Sequence, residues 1–174
     1  MLAFHILRIL QLQQWLQQRS RKLEFFDSHA HYDDERFDED RDSIIMDIYN
    51  SGVTGIISAG YSLEGSKAGI ELASKYNFIY TTVGISPNDI GDNWIENVTE
   101  VDNILKNKLQ EKDNKIVAVG EIGLDYHYDT NKECQRDVFV KQIELANKYN
   151  LPIVIHTRDA VMDTITILKE HPVK

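Results

Sequence analysis

The stretch KIVAVGE, residues 115–121, sets four apolar residues, Ile116 to Val119, directly before a glycine and a carboxylate. A run this short and this rich in β-branched residues reads as a strand covered on both faces, the mark of a parallel sheet. The pattern recurs on either side. LEFFDSH (23–29), TGIISAG (54–60) and FIYTTVG (78–84) come before it, and LPIVIHT (151–157) comes after. Between these runs apolar residues fall at helical spacing: Ile44, Ile45 and Ile48; Ile70, Ala73 and Tyr76; Ile95, Val98, Leu105 and Leu109; Phe139, Ile143 and Ala146. A fifth stripe, Val161, Ile165 and Leu168, follows the last run. Five such units in about 150 residues repeat every ~30 residues, the length of a βα unit, so the sheet is predicted to be parallel with right-handed crossovers. Two architectures accommodate five units. One is a doubly wound open sheet, complete at this length. The other is a (β/α)8 barrel of ~250 residues cut to about five βα units, with a sixth strand expected near His171 to Lys174.

The 174 residues are 42% hydrophobic and 27% charged, with 9 glycines and 3 prolines. That composition builds one globular core and excludes a disordered or collagenous chain. The single cysteine, Cys134, excludes an internal disulfide. A reduced cytoplasm is the expected setting, and the thiol reads as a helix residue without a role. Residues 1–22 read as one amphipathic helical extension, with Leu2, Phe4, Ile6, Leu7, Ile9, Leu10, Trp15 and Leu16 interrupted by His5, Arg8 and glutamines. The remaining segment, 23–174, is the functional domain. No run reaches the ~18 apolar residues of a membrane span, and basic groups that follow the apolar run argue against a secretory signal.

The net charge of −9 is unevenly spread. Arg8, Arg19, Arg21 and Lys22 against Glu24 make the first 24 residues +3, which leaves −12 on the rest. Such a body repels a polyanion unless something compensates, and bound metal cations are one compensation.

The ends of the apolar runs carry the candidate chemistry. In Asp27-Ser28-His29-Ala30-His31, strand alternation points Asp27, His29 and His31 to one face, so the two imidazoles can lean onto a single ion. Glu121 ends the fourth run between Gly120 and Ile122-Gly123, and a carboxylate at that edge needs a cation or hydrogen bonds. His156 ends the fifth run, followed by Thr157, by Arg158, a bidentate phosphate donor, and by Asp159, the expected N-cap of the next helix. Parallel strands end on one face, where α/β enzymes keep their sites. His29, His31, Glu121 and His156 therefore form a mixed nitrogen and oxygen set suited to Zn²⁺, Mn²⁺ or Mg²⁺.

FDSHAH, VGEIGLDY and LPIVIHTRDA, in this order and at these separations, resemble the TatD family of metal-dependent hydrolases and deoxyribonucleases over residues 23–174. The resemblance implies a TIM barrel and so favours the truncated (β/α)8 reading. It implies that His29 and His31 ligate one metal, that Glu121 bridges two, and that His156 ligates the second. A further histidine after the sixth strand and an aspartate after the eighth belong to the same pattern and fall beyond Lys174. Ser86, in Val83-Gly84-Ile85-Ser86-Pro87, stands where many relatives carry histidine, a departure that touches a substrate contact rather than the metals.

The activity implied is hydrolysis of DNA phosphodiester bonds by water activated on two divalent ions. Asp27 would then orient His29 or His31, and Arg158 with Lys132 would meet the scissile phosphate. Two alternatives stand beside it. One keeps the metals and hydrolyses an ester or amide, as in a D-aminoacyl-tRNA deacylase. The other is an incomplete barrel that binds metal weakly and catalyses nothing alone, with two exposed sheet edges.

Overall fold

The computed structural model describes residues 24–128 and 131–174, so the predicted 1–22 extension lies outside the described residues. Five strands, β1 (Phe25–Ala30), β2 (Val53–Ser58), β3 (Ile79–Val83), β4 (Ile116–Asp125) and β5 (Ile153–Arg158), form one parallel sheet. Each strand is followed by a helix: α1 (Arg41–Asn50), after a 3-10 turn at Glu35–Phe37, then α2 (Leu63–Lys75), α3 (Trp94–Lys108), α4 (Lys132–Tyr149) and α5 (Val161–Glu170).

The order of strands across the sheet is β1-β2-β3-β4-β5. That order separates the two architectures the sequence leaves open. A doubly wound sheet reverses direction at a switch point and places helices on both faces. Here every strand joins the same growing edge, so right-handed crossovers carry all the helices to one side. This is barrel winding, and five units of it make a half-barrel.

The core lies between the sheet and its helices. Val83, Val119, Ile122 and Leu124 of the sheet region pack with Leu105 of α3 and Phe139 and Ile143 of α4 in the larger cluster. Ile45, Ile56, Leu72 and Ile79 anchor a smaller one under α1 and α2. Each fully buried side chain of this size contributes about 1.5–3 kcal/mol of transfer free energy. Caps fix where the helices begin: the Ser62 hydroxyl accepts the Gly65 N–H (3.0 Å) at α2, and the Asn131 side chain accepts the Cys134 N–H (3.0 Å) at α4. Cys134 thus sits in the first turn of α4, and burial pushes its thiol pKa up, with Asp137 and Asp92 adding to the effect.

The helical stripes hold for α4, where Phe139, Ile143 and Ala146 are all fully buried. They shift on two other helices. Ile95 is exposed and the buried face of α3 is Val98, Val101 and Leu105. On α5 the buried residues are Thr164 and Ile167, while Val161, Met162 and Ile165 face outward, Met162 at 73% exposure. Apolar residues surround much of α5, so periodicity alone cannot choose its inner face. Asp159 is not the N-cap of α5: Ala160 holds that position, and Asp159 takes a left-handed conformation (φ 54°) with its carboxylate 3.2 Å from His127 Nδ1. Among the described residues no helix is long and apolar enough to cross a membrane.

Candidate metal centre

His29 lies in β1 and His31 one residue beyond its end, and the alternation of the strand turns both rings the same way. Their Nε2 atoms stand 3.2 Å apart, with ring planes at 80°. His31 also rests edge-on against Tyr61, whose hydroxyl pKa is pushed up by burial and by Asp33, Asp34 and Asp89. His31 Nδ1 is buried without a hydrogen-bond partner among the described residues.

Glu121 comes from a break in the regularity of β4. The register with β5 shifts between Val119 and Ile122, and such a bulge re-aims a side chain that a regular strand would point elsewhere. Gly120 there has φ 154°, a conformation that favours glycine. The Glu121 amide donates to the Gly60 carbonyl, tying the bulge to the loop after β2. The carboxylate is mostly buried, at 14% side-chain exposure, and its two oxygens face opposite ways. Oε2 lies 3.6 Å from His29 Nε2 and 3.9 Å from His31 Nε2, whereas Oε1 lies 3.1 Å from His156 Nδ1.

The strand expected to end at Glu121 continues four residues, to Asp125. Asp125 is fully buried, and its Oδ2 lies 2.9 Å from His156 Nε2 and accepts from Asn88 Nδ2 at 3.0 Å, while Oδ1 accepts the His127 amide at 3.0 Å. Burial works to raise its pKa, but the hydrogen bonds from Asn88, the His127 amide and His156 outweigh burial and hold the carboxyl below its ordinary value. Neither Asp125 nor Asn88 is among the sequence-predicted site residues. The signal for Asp125 is the two-residue period: positions 121, 123 and 125 share a face once the strand is allowed to continue past its glycines. Asn88 carries no such signal, because a loop places it.

His29, His31 and Glu121 offer three ligand atoms within 4.8 Å of one another. Two nitrogens bound to one ion at 2.0–2.1 Å stand about 2.8–3.4 Å apart for angles between 90° and tetrahedral. The observed 3.2 Å falls inside that range, so the pair fits a divalent cation. His156 joins through the other Glu121 oxygen.

The remaining predicted residues have other partners. Asp27 accepts from the backbone N–H of His29 (3.3 Å) rather than from an imidazole, and with burial it helps raise the Tyr32 pKa. Arg158, exposed at the end of β5 two residues from His156, has its guanidinium carbon 5.5 Å from the Tyr128 ring centroid. Lys132 Nζ lies 4.7 Å from the Tyr126 ring centroid. Ser86 is buried, donates to Asp89 Oδ2 (2.6 Å) and accepts the Asn88 amide (3.2 Å), which shapes the turn that presents Asn88 to Asp125.

Residues 26–174 match the family described as TatD related DNase. The chain is 40% identical over 146 residues to YabD of Bacillus subtilis, named an uncharacterized metal-dependent hydrolase, covering 83% of this chain and 55% of that protein. It is 32% identical over 146 residues to the 3′-5′ ssDNA/RNA exonuclease TatD of Escherichia coli K12, covering 83% and 54%. Among solved structures it resembles YjjV, a TatD homolog from Escherichia coli K12, with a TM-score of 0.76 and 29% identity over 86% of this chain and 56% of that one. The chain thus spans about half the length of the relatives it matches.

Proposed function

Because the chain belongs to the TatD related DNase family, we propose that its centre serves divalent-metal-dependent hydrolysis of nucleic-acid phosphodiester bonds, with DNA as substrate. The observation that carries this reading is the Glu121 carboxylate, set between the His29/His31 pair on one oxygen and His156 on the other. His29 and His31 would hold one ion, Glu121 would span two, and His156 would hold the second, with Mg²⁺, Mn²⁺ or Zn²⁺ as candidates. Divalent ions bound there supply a water of lowered pKa and positive charge against the phosphoryl oxygens. The other parts of the task belong to the protein. The mostly buried Glu121 keeps its two oxygens committed to opposite sides. Arg158 offers a planar pair of N–H donors to phosphate oxygens from the end of β5, and Lys132 adds a second cation at the start of α4. These groups, with the ions, offset the acidity of the body. The name of the Escherichia coli relative as an ssDNA/RNA exonuclease supports a nucleic-acid substrate.

The test is cleavage of a single-stranded oligonucleotide by this chain with added Mg²⁺ or Mn²⁺, with an aminoacyl ester assayed in parallel. The unaltered chain should cleave DNA, and Glu121→Gln should abolish metal-dependent cleavage. Retained cleavage in Glu121→Gln would remove Glu121 from its bridging role. Turnover confined to the ester would replace the phosphodiester reading.

A further inference from the structure

A neutral imidazole carries one N–H, so it can ligate a cation through one nitrogen only if the proton sits on the other. His156 has a carboxylate facing each nitrogen, Glu121 at Nδ1 and Asp125 at Nε2. The two carboxylates differ in how they are held. Glu121 is the group that also faces His29 and His31. Asp125 is fully buried and fixed from four directions. Its side chain takes the Asn88 amide and the His127 N–H, and its backbone is clamped by Gln135, which accepts the Asp125 N–H at 2.8 Å and donates to the Asp125 carbonyl at 2.8 Å.

We infer that Asp125, steadied by Asn88 and Gln135, is the positioning residue of the metal centre: it holds the proton of His156 on Nε2 and so turns a bare Nδ1 toward Glu121 and a shared divalent cation. This rests on the metal-dependent reading above and adds to it a group that touches neither ion nor substrate. Three segments take part. The turn after β3 brings Asn88, the far end of β4 brings Asp125, and β5 brings His156. Gly123 makes the approach possible, since a Cβ there would run into the His156 carbonyl oxygen. Ser86 belongs to the same device through its bonds in the Asn88 turn. An aspartate that served the fold alone would need only its backbone clamp and caps, not an Oδ2 shared between Asn88 and a candidate ligand.

The experiment is titration of Co²⁺ into the 174-residue chain, followed by calorimetry and by the visible absorption of the ion, with thermal melting as the control for folding. Asp125→Asn should weaken Co²⁺ binding about 10- to 100-fold, the usual cost of removing a carboxylate behind a ligating histidine, and should change the absorption band while the melt stays cooperative. In a His156→Ala background the same substitution should cost nothing further, because Asp125 acts through that ring. Asn88→Ala, at an exposed position, should give a smaller loss of the same sign and decides the matter if Asp125→Asn does not fold. Unchanged Co²⁺ affinity in folded Asp125→Asn, or in Asn88→Ala where Asp125→Asn fails to fold, overturns the inference and leaves the metal-dependent reading standing. Failure of the unaltered chain to bind Co²⁺ overturns both.

Discussion

Between β3 and β4 the backbones come so close that a Cβ on Gly84 would stand 2.8 Å from Cα and the carbonyl carbon of Gly120. Gly84→Ala should therefore cost about 1–3 kcal/mol, as overpacking does. A urea titration measures it, and an unchanged midpoint would mean that β3 yields without penalty. Since Gly120 adjoins Glu121, the same substitution reaches the centre through the backbone. At this scale the sequence is legible where a side chain lies on a regular strand. His29 and His31 follow from a two-residue period, and Glu121 and His156 from their place after apolar runs. Asp125 is missed because the glycines of Gly120-Glu121-Ile122-Gly123 read as a strand end, whereas they permit a bulge that lets the strand go on. Asn88 and the left-handed Asp159 depend on loop geometry that no spacing encodes.

Helices α3 and α4 are joined across their surface by Asp102, whose carboxylate accepts from Lys148 Nζ at 2.7 and 2.8 Å and from the Tyr149 hydroxyl at 2.6 Å. Burial works to raise the Asp102 pKa, but the bonds from Lys148 and Tyr149 prevail and hold it below its ordinary value. A carboxyl lowered by folding adds stability above its unfolded value, about pH 4, and that stability is lost as the pH falls through the lower folded value. With Lys148 half exposed, solvent screens the pair and its contribution at neutral pH is small. Asp102→Asn should lower the urea midpoint slightly at pH 7 and make no difference in strong acid. Equal losses at both would assign the effect to packing. Elements themselves are read well from the sequence: the five apolar runs are strands and the five helical stripes are helices, whereas residues 171–174, where a sixth strand is expected to begin, form none. Their inner faces are read less well, because α5 is apolar on more than one side and only packing selects Thr164 and Ile167.

Among the described residues, exposed apolar side chains lie on both outer strands and the last helix, Phe25 and Phe26 on β1, Ile155 on β5, and Val161, Met162 and Ile165 on α5, as well as elsewhere, Ile95 and Met46 among them. An open edge flanked by such residues is a template for pairing. The isolated chain should associate as its concentration rises, and Phe25→Lys combined with Met162→Lys should shift light scattering toward the monomer without lowering the melting temperature. Association that is indifferent to both substitutions would locate the contact elsewhere. Composition and repeat length bring the fold to a choice of two windings, and strand order makes the choice. That order is a property of neighbours in space, which is why apolar runs alone, each the same whichever strand lies beside it, leave both windings open.

The same order bears on how the chain comes to be folded during its synthesis. Each strand pairs with the one made just before it, so a chain emerging residue by residue can add every unit to an edge that already exists, with no wait for a distant partner. The candidate ligands ignore that convenience. His29 and His31 emerge with the first unit, Glu121 with the fourth and His156 with the fifth. A cation that needs all four would be captured only once β5 has docked, so its uptake would report the docking of that strand.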